Sequence, residues 1–306
     1  MTATYLTVGE ALTDIVTRAE DGTSVEYPGG SPLNVAVALG RLGHTSHLLT
    51  QIGGDARGEQ IRRHLEESHV LLTGGSIGSH RTSSALAQLD AEGTATYQFD
   101  ITWDPRATDL PEPVDAVHTS SIAAVLAPGA ATVVDVLERY RPTTTISYDP
   151  NARPTLMGSA EATRAAVEAI IARSDLVKTS DEDVAWMYGT DDVEDVVSSW
   201  RELGPAFTVI TRGGEGAIGF AACGRVAVPP VKVEVADTVG AGDTFSAGLL
   251  DALDSAGLLR AENREALRAI DEDQLEAVLS RAAGLAAITV SRPGANPPWA
   301  HEATGI

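Results

Sequence analysis

The sequence is poor in cysteine and in positive charge, and it contains no long apolar run. Cys223 is the single cysteine among 306 residues, which excludes an internal disulfide and a Cys-rich zinc site. A reducing, cytoplasmic setting is the expectation. Lys and Arg number 22 against 43 Asp and Glu, a formal net charge of −21. Such a surface repels nucleic-acid phosphates and anionic lipid, so nucleic acid and membrane partners are set aside. A polyanionic ligand must then be held by local devices: helix N-termini, a divalent cation and a few placed cationic side chains. Residues 1–12 lack a basic segment followed by a long apolar run, and the apolar stretch near residues 282–290 is too short to span a bilayer. The protein is expected to be neither exported nor embedded. The seven histidines show no shared metal or triad spacing, and His44, His47, His64 and the others read as solvated or packed.

With 43% hydrophobic residues, 29 Gly and 15 Pro, the composition is that of a globular chain. The length allows one large domain with a small appendage. Strand-like runs at residues 5–8, 47–51, 144–148, 176–179 and 207–211 alternate with helical patterns at 34–42, 58–68, 160–172 and 193–203. That order predicts an α/β fold with a mostly parallel sheet flanked by helices. Residues 12–27 and 85–104 break the order. They carry strand-like alternation with turn signals at Glu20-Asp21-Gly22 and Asp90-Ala91-Glu92-Gly93, and read as a small β-sheet lid. Its outer face is either covered by a second subunit, giving a homodimer through the lid, or left as an exposed amphipathic sheet.

The strongest site signal is Asp237-Thr-Val-Gly240-Ala241-Gly242-Asp243-Thr-Phe245, placed between a strand-like run at residues 231–235 and a helix with apolar Phe245, Leu249, Leu250 and Leu253. A glycine-rich loop entering a helix lets backbone N–H groups converge on an anion, with the helix dipole adding its positive end. Asp243 in the first turn is either a capping carboxylate or a catalytic base. Gly29-Gly30-Ser31-Pro32-Leu33-Asn34 precedes a helix that Gly43 would cap, and alone reads equally as a plain turn. Asp14 follows the first strand; it is an ordinary loop carboxylate or an acceptor for two adjacent hydroxyls. Asp149-Pro-Asn151-Ala-Arg153-Pro ends a strand, where open parallel sheets place ligands. Lys178-Thr-Ser180-Asp-Glu-Asp183 opens a helix and also suits a plain N-cap. Thr211-Arg212-Gly213-Gly-Glu-Gly216 is a strand followed by a glycine turn, and Arg212 is either a placed cation or a solvated arginine.

In this order the segments resemble the ribokinase-like carbohydrate kinases, the phosphofructokinase-B family, from Gly9 to Ala295. The resemblance implies a single ribokinase-like domain over residues 1–306 and an ATP-dependent sugar kinase. It makes Asp243 the base and the Gly240, Ala241 and Gly242 amides the anion hole. Gly29, Gly30, Asn34 and Asp14 would line the sugar pocket, with Asp149, Asn151 and Arg153 near sugar or phosphate. Lys178, Ser180, Thr211, Arg212, Gly213 and Gly216 would lie along ATP. Ribokinase itself has Asn-x-x-Glu where this chain has Ser180-x-x-Asp183, a departure that bears on Asp183 as an indirect Mg²⁺ contact. Asp237, with carbonyls around Val239, Ser291 and Gly294, would hold a monovalent cation such as K⁺. The segments at Gly9, Gly29 and Asp149 look most like those of bacterial fructokinases, implying fructose 6-phosphate as product. A 2-keto-3-deoxygluconate kinase, ribokinase or nucleoside kinase are the alternatives, and Gln98–Asp104 does not match the fructokinase pattern. A non-catalytic sugar or nucleotide sensor is the reading from another class; the intact Gly-Ala-Gly-Asp speaks against it.

Overall fold

The central strands are buried at nearly every position, and successive side chains point to opposite faces, so each strand feeds two cores. Tyr5, Leu176 and Val209 face one core with Leu249, Leu250 and Leu279, while their neighbours Leu6, Val177 and Ile210 face another with Val136, Leu137 and Trp200. Each fully buried Leu, Val or Ile contributes roughly 1.5–3 kcal/mol, which fixes helices on both faces of the sheet.

A computed structural model describes residues 2–18, 23–89, 95–190 and 192–305. Strand β1 (Thr4–Val8) is followed by β2 (Leu12–Arg18), β3 (Ser24–Gly29) and helix α1 (Ser31–Arg41). Next come β4 (Thr45–Leu49), the short β5 (Ile52–Gly53), α2 (Ala56–Glu67), β6 (Val70–Leu72) and the short β7 (Ile77–Gly78). Then β8 (Ser84–Leu89), β9 (Ala95–Asp100), β10 (Ala116–Ser120), α3 (Gly129–Tyr140) and β11 (Thr145–Asp149) lead into α4 (Pro154–Met157) and α5 (Ala160–Ile171). The alternation continues with β12 (Leu176–Ser180), α6 (Asp181–Tyr188), α7 (Val193–Glu202) and β13 (Phe207–Thr211). The hairpin β14 (Ala217–Ala221) and β15 (Gly224–Val228) precedes α8 (Ala241–Ser255), α9 (Arg264–Arg268) and α10 (Glu272–Val290).

The main sheet runs β15-β14-β13-β12-β11-β10-β1-β4-β6 and is parallel except at β14 and β15. A second sheet, β3-β2-β8-β9, draws its strands from both segments that break the main alternation. Its β3–β2 and β8–β9 pairs are antiparallel, and β2–β8 in its centre is parallel. The turn signals at Glu20–Gly22 and Asp90–Gly93 lie outside the described residues. Val25 and Tyr27 of β3 are exposed. Residues 101–104 are irregular, and Trp103 is buried there with Nε1 donating to the Ala123 carbonyl at 3.0 Å.

The structure departs from the sequence expectations in two places. Residues 231–235 form no strand: Val231, Val233 and Val235 are exposed, because Pro229-Pro230 supply no N–H and the segment leaves the sheet at its edge strand β15. Helix α1 begins at Ser31 with Pro32 in its first turn, so it takes in Ser31, Pro32 and Leu33 ahead of the helical pattern read from position 34. No helix among the described residues is long and apolar enough to cross a membrane.

Candidate active site

The parallel strands end along one edge of the sheet, and the chemistry-bearing segments follow those ends. β1 delivers Gly9-Glu10, β10 delivers Ser120, β11 delivers Asp149, β12 delivers Ser180 and β13 delivers Thr211-Arg212. Helix α8 points its N-terminus at the same edge. Gly240 takes φ +76° as the N-cap, a left-handed conformation in which a side chain is strained, and a Cβ there would lie 2.8 Å from the Ala295 side chain. The Ala241 N–H donates to the Thr238 carbonyl at 3.3 Å. The first-turn amides of a helix have no intrahelical acceptor, so those of Gly242 and Asp243 remain available to an anion.

Asp243 is buried in that first turn, and its carboxylate is engaged from α1. Ser31 Oγ donates to Oδ1 at 2.7 Å and Asn34 Nδ2 to Oδ2 at 2.8 Å, with Asn151 Nδ2 at the longer distance of 3.5 Å from Oδ1. Ser31 Oγ also lies 2.9 Å from Ser120 Oγ. Gly29 sits against Asp14, where a Cβ would come within 1.9 Å of Oδ2. Burial pushes the Asp14 carboxyl up to about 6, opposed by Arg153 and aided by the negative charge of Asp243. Arg153 is exposed and folds Nη1 back onto Asn151 Oδ1 at 2.7 Å and the Ala152 carbonyl at 2.9 Å. Asn34 and Asn151 are thus in hydrogen-bond reach of Asp243, with Asp14 against Gly29 near enough to feel the charge of Asp243.

A buried cation lies beside the Gly-Ala-Gly loop. Lys178 Nζ pairs with Asp149 Oδ2 at 2.9 Å, with side chains 6% and 1% exposed, and a Cβ built on Gly242 would stand 2.8 Å from the same Nζ. Burial raises Asp149 to about 6 against the pull of Lys178, while attraction to Asp149, Asp183 and Asp243 overcomes burial and raises Lys178, so the pair is ionised at neutral pH. The loop amides and this ammonium place hydrogen-bond donors together at this end of the sheet, with the charge of the ammonium balanced by Asp149.

Ser180 and Asp183 form a capping box at the start of α6. Asp183 accepts from the Ala152 N–H at 2.9 Å and the Ser180 N–H at 3.3 Å, so both its oxygens already hold hydrogen bonds. Among the described residues no three His, Cys, Asp or Glu side chains gather as a metal site. The residues fit a Mg²⁺ carried on nucleotide phosphates, which needs few protein ligands. Arg212 is partly exposed and pairs with Glu215 at 2.5 Å, and Gly216 admits the close approach of the Val228 carbonyl, 2.2 Å from where a Cβ would stand. Thr211 Oγ1 donates to the Thr179 carbonyl and Gly213 opens the turn after Arg212. Asp237 accepts from the N–H groups of Val239 at 3.0 Å and Gly294 at 2.9 Å, tying the loop before α8 to the loop after α10. Those bonds hold its carboxyl below the usual carboxylate range. Ser291 caps α10 and donates to the Ile288 carbonyl.

Sequence reasoning assigned no role to Ser31, Ser120 or Glu10. Glu10 is buried, accepts from the Ala123 N–H at 3.2 Å, and burial pushes it up to about 8, so it is mostly protonated at neutral pH. Ser31 stood inside the segment read for Gly29, Gly30 and Asn34; the signal that it meets Asp243 lies only in the packing of α1 on α8.

Residues 3–302 match the pfkB family of carbohydrate kinases. A fructokinase of Rhizobium leguminosarum bv. trifolii is 34% identical over 281 residues, 88% of this chain and 85% of its own length. The fructokinase of Escherichia coli is 32% identical over 89% of this chain and 91% of its own. Among solved structures, a sugar kinase of Pyrococcus horikoshii superposes with a TM-score of 0.78 at 27% identity, covering 98% of this chain and 96% of the other. The fructokinase of Xylella fastidiosa with bound ATP shares the fold with a TM-score of 0.81 at 24% identity, covering 96% and 94%. The chain belongs to the pfkB family of carbohydrate kinases and is an ATP-dependent sugar kinase.

Proposed function

We propose that the chain transfers the γ-phosphoryl group of ATP to O6 of D-fructose, with Asp243 as the base. The observation that carries this reading is the buried Asp243 carboxylate between the sugar-side residues Ser31 and Asn34 and the anion-binding start of α8. Asp243 takes the proton of the attacking hydroxyl. The Gly240, Ala241 and Gly242 amides hold the charge that develops on the transferred group, with Lys178 adding a fixed cation beside Gly242. Asp14, Gly29, Gly30, Asn34 and Arg153 bind and orient the sugar. Asn151, Ser180, Thr211, Arg212, Gly213 and Gly216 border the nucleotide. Mg²⁺ on the phosphates supplies charge neutralisation when bound, with Asp183 acting on it only through its neighbours. Asp237 and the carbonyls of Val239, Ser291 and Gly294 are proposed to hold a monovalent cation. The second sheet serves as a lid over the sugar and pairs two copies across the face bearing Val25 and Tyr27. A cytoplasmic setting agrees with a single cysteine and with the use of ATP.

Fructose as the acceptor is supported by the curated relatives, which include fructokinases 30–34% identical to this chain. The test is ADP release from Mg-ATP in the presence of K⁺ against fructose, 2-keto-3-deoxygluconate, ribose, adenosine and glucose. Strong turnover on fructose alone supports the proposal, whereas turnover confined to another acceptor moves the specificity to that compound.

A further inference from the structure

Ser31 opens α1 but does not cap it. The N-cap is Gly30, no side chain bonds into the first turn, and Pro32 carries no N–H to satisfy. The Ser31 hydroxyl is therefore not engaged in helix capping. It is buried, 2.7 Å from Asp243 Oδ1 and 2.9 Å from Ser120 Oγ. A hydroxyl has one proton and a carboxylate only accepts, so the direction of this chain is set: Ser120 donates to Ser31, and Ser31 donates to Asp243. On the other side Asn34, three residues further along the same helix face, donates to Oδ2 at 2.8 Å. One rigid helix thus grips both oxygens of the carboxylate, and a rotation about its Cβ–Cγ bond breaks both bonds together.

We infer that Ser31, supported from behind by Ser120, is a positioning residue that fixes the orientation of the Asp243 carboxylate toward the sugar hydroxyl. The inference rests on the proposal that Asp243 is the base. Orientation at this level matters, because displacement of a catalytic group by about 1 Å costs on the order of 10²-fold in rate. The charged groups that act on the same carboxylate are Asp14 from β2, Asp149 from β11 and Lys178 from β12, and none of them is altered by a change at residue 31.

The test is kcat, and KM for sugar and for ATP, of Ser31→Ala and Ser120→Ala, with Asp243→Asn measured beside them. Alanine suits a helical position, so Ser31→Ala keeps α1. In Ser31→Ala kcat falls about tenfold and KM for ATP stays unchanged, a split that a loss of folding would not give. Ser120→Ala lowers kcat in the same way by less. A wild-type kcat in both serine variants, with Asp243→Asn slowed, overturns the role of Ser31 and leaves the base in place. Wild-type turnover by Asp243→Asn instead removes the base, and the inference with it.

Discussion

Replacing Lys178 by methionine separates stability from catalysis at the buried ion pair. At 2.9 Å and an effective dielectric near 20, the attraction between Lys178 and Asp149 is about 6 kcal/mol, and desolvation of two ions offsets most of it. Removing one partner alone leaves Asp149 buried and unpaired, which costs ~3–5 kcal/mol. Asp149 responds by binding a proton, since its carboxyl already sits at about 6 with the lysine present and rises further without it. A carboxyl raised above its unfolded value is stable while protonated, so the loss in Lys178→Met is smaller near pH 5 and grows toward pH 8. Urea unfolding with linear extrapolation at both pH values reads this directly. Adding Asp149→Asn removes the stranded charge while keeping the shape, and stability is expected to return to within about 1–2 kcal/mol of wild type. Activity does not return: with no ammonium beside Gly242, kcat stays down by roughly 10²–10³-fold in both variants. Recovery of turnover in the double variant refutes the catalytic part of this reasoning, and a single variant as stable as wild type at pH 8 refutes the electrostatic part.

Glu10→Gln tests a second buried carboxyl. With Glu10 raised to about 8, the folded state holds a proton that the unfolded chain releases from about pH 4.5 upward, so this residue lowers stability progressively between those values. The glutamine variant should gain melting temperature relative to wild type at pH 8 and show little gain at pH 4.5; equal differences at both would contradict the burial. Gly29→Ala drives a methyl group toward Asp14 Oδ2. KM for the sugar should rise about 10- to 100-fold with KM for ATP unchanged, and an unchanged sugar KM would separate Asp14 from sugar binding.

The motif at Asp237–Phe245 was legible because its chemistry is local: a left-handed Gly240, free amides and a first-turn acid all follow from a few adjacent residues. The α/β alternation was legible for the same reason, each strand and helix carrying its own period. The couplings that shape the site were not. Ser31 and Asp243 are 212 positions apart, and Lys178 and Asp149 meet only because β11 and β12 are parallel neighbours. The parallel pairing of β2 with β8 in the centre of the second sheet likewise depends on folding that brings two distant segments together. Residues 231–235 alternate as a strand does, yet a strand also needs a partner, and none follows the edge strand β15.

The central claim is tested most directly by Asp243→Asn, assayed for sugar binding by calorimetry and for turnover by ADP release at saturating sugar and Mg-ATP. The amide can still accept from Ser31, so binding is expected to persist while kcat falls by about 10²–10⁴-fold, the usual contribution of a general base. Turnover within a few-fold of wild type would contradict the account.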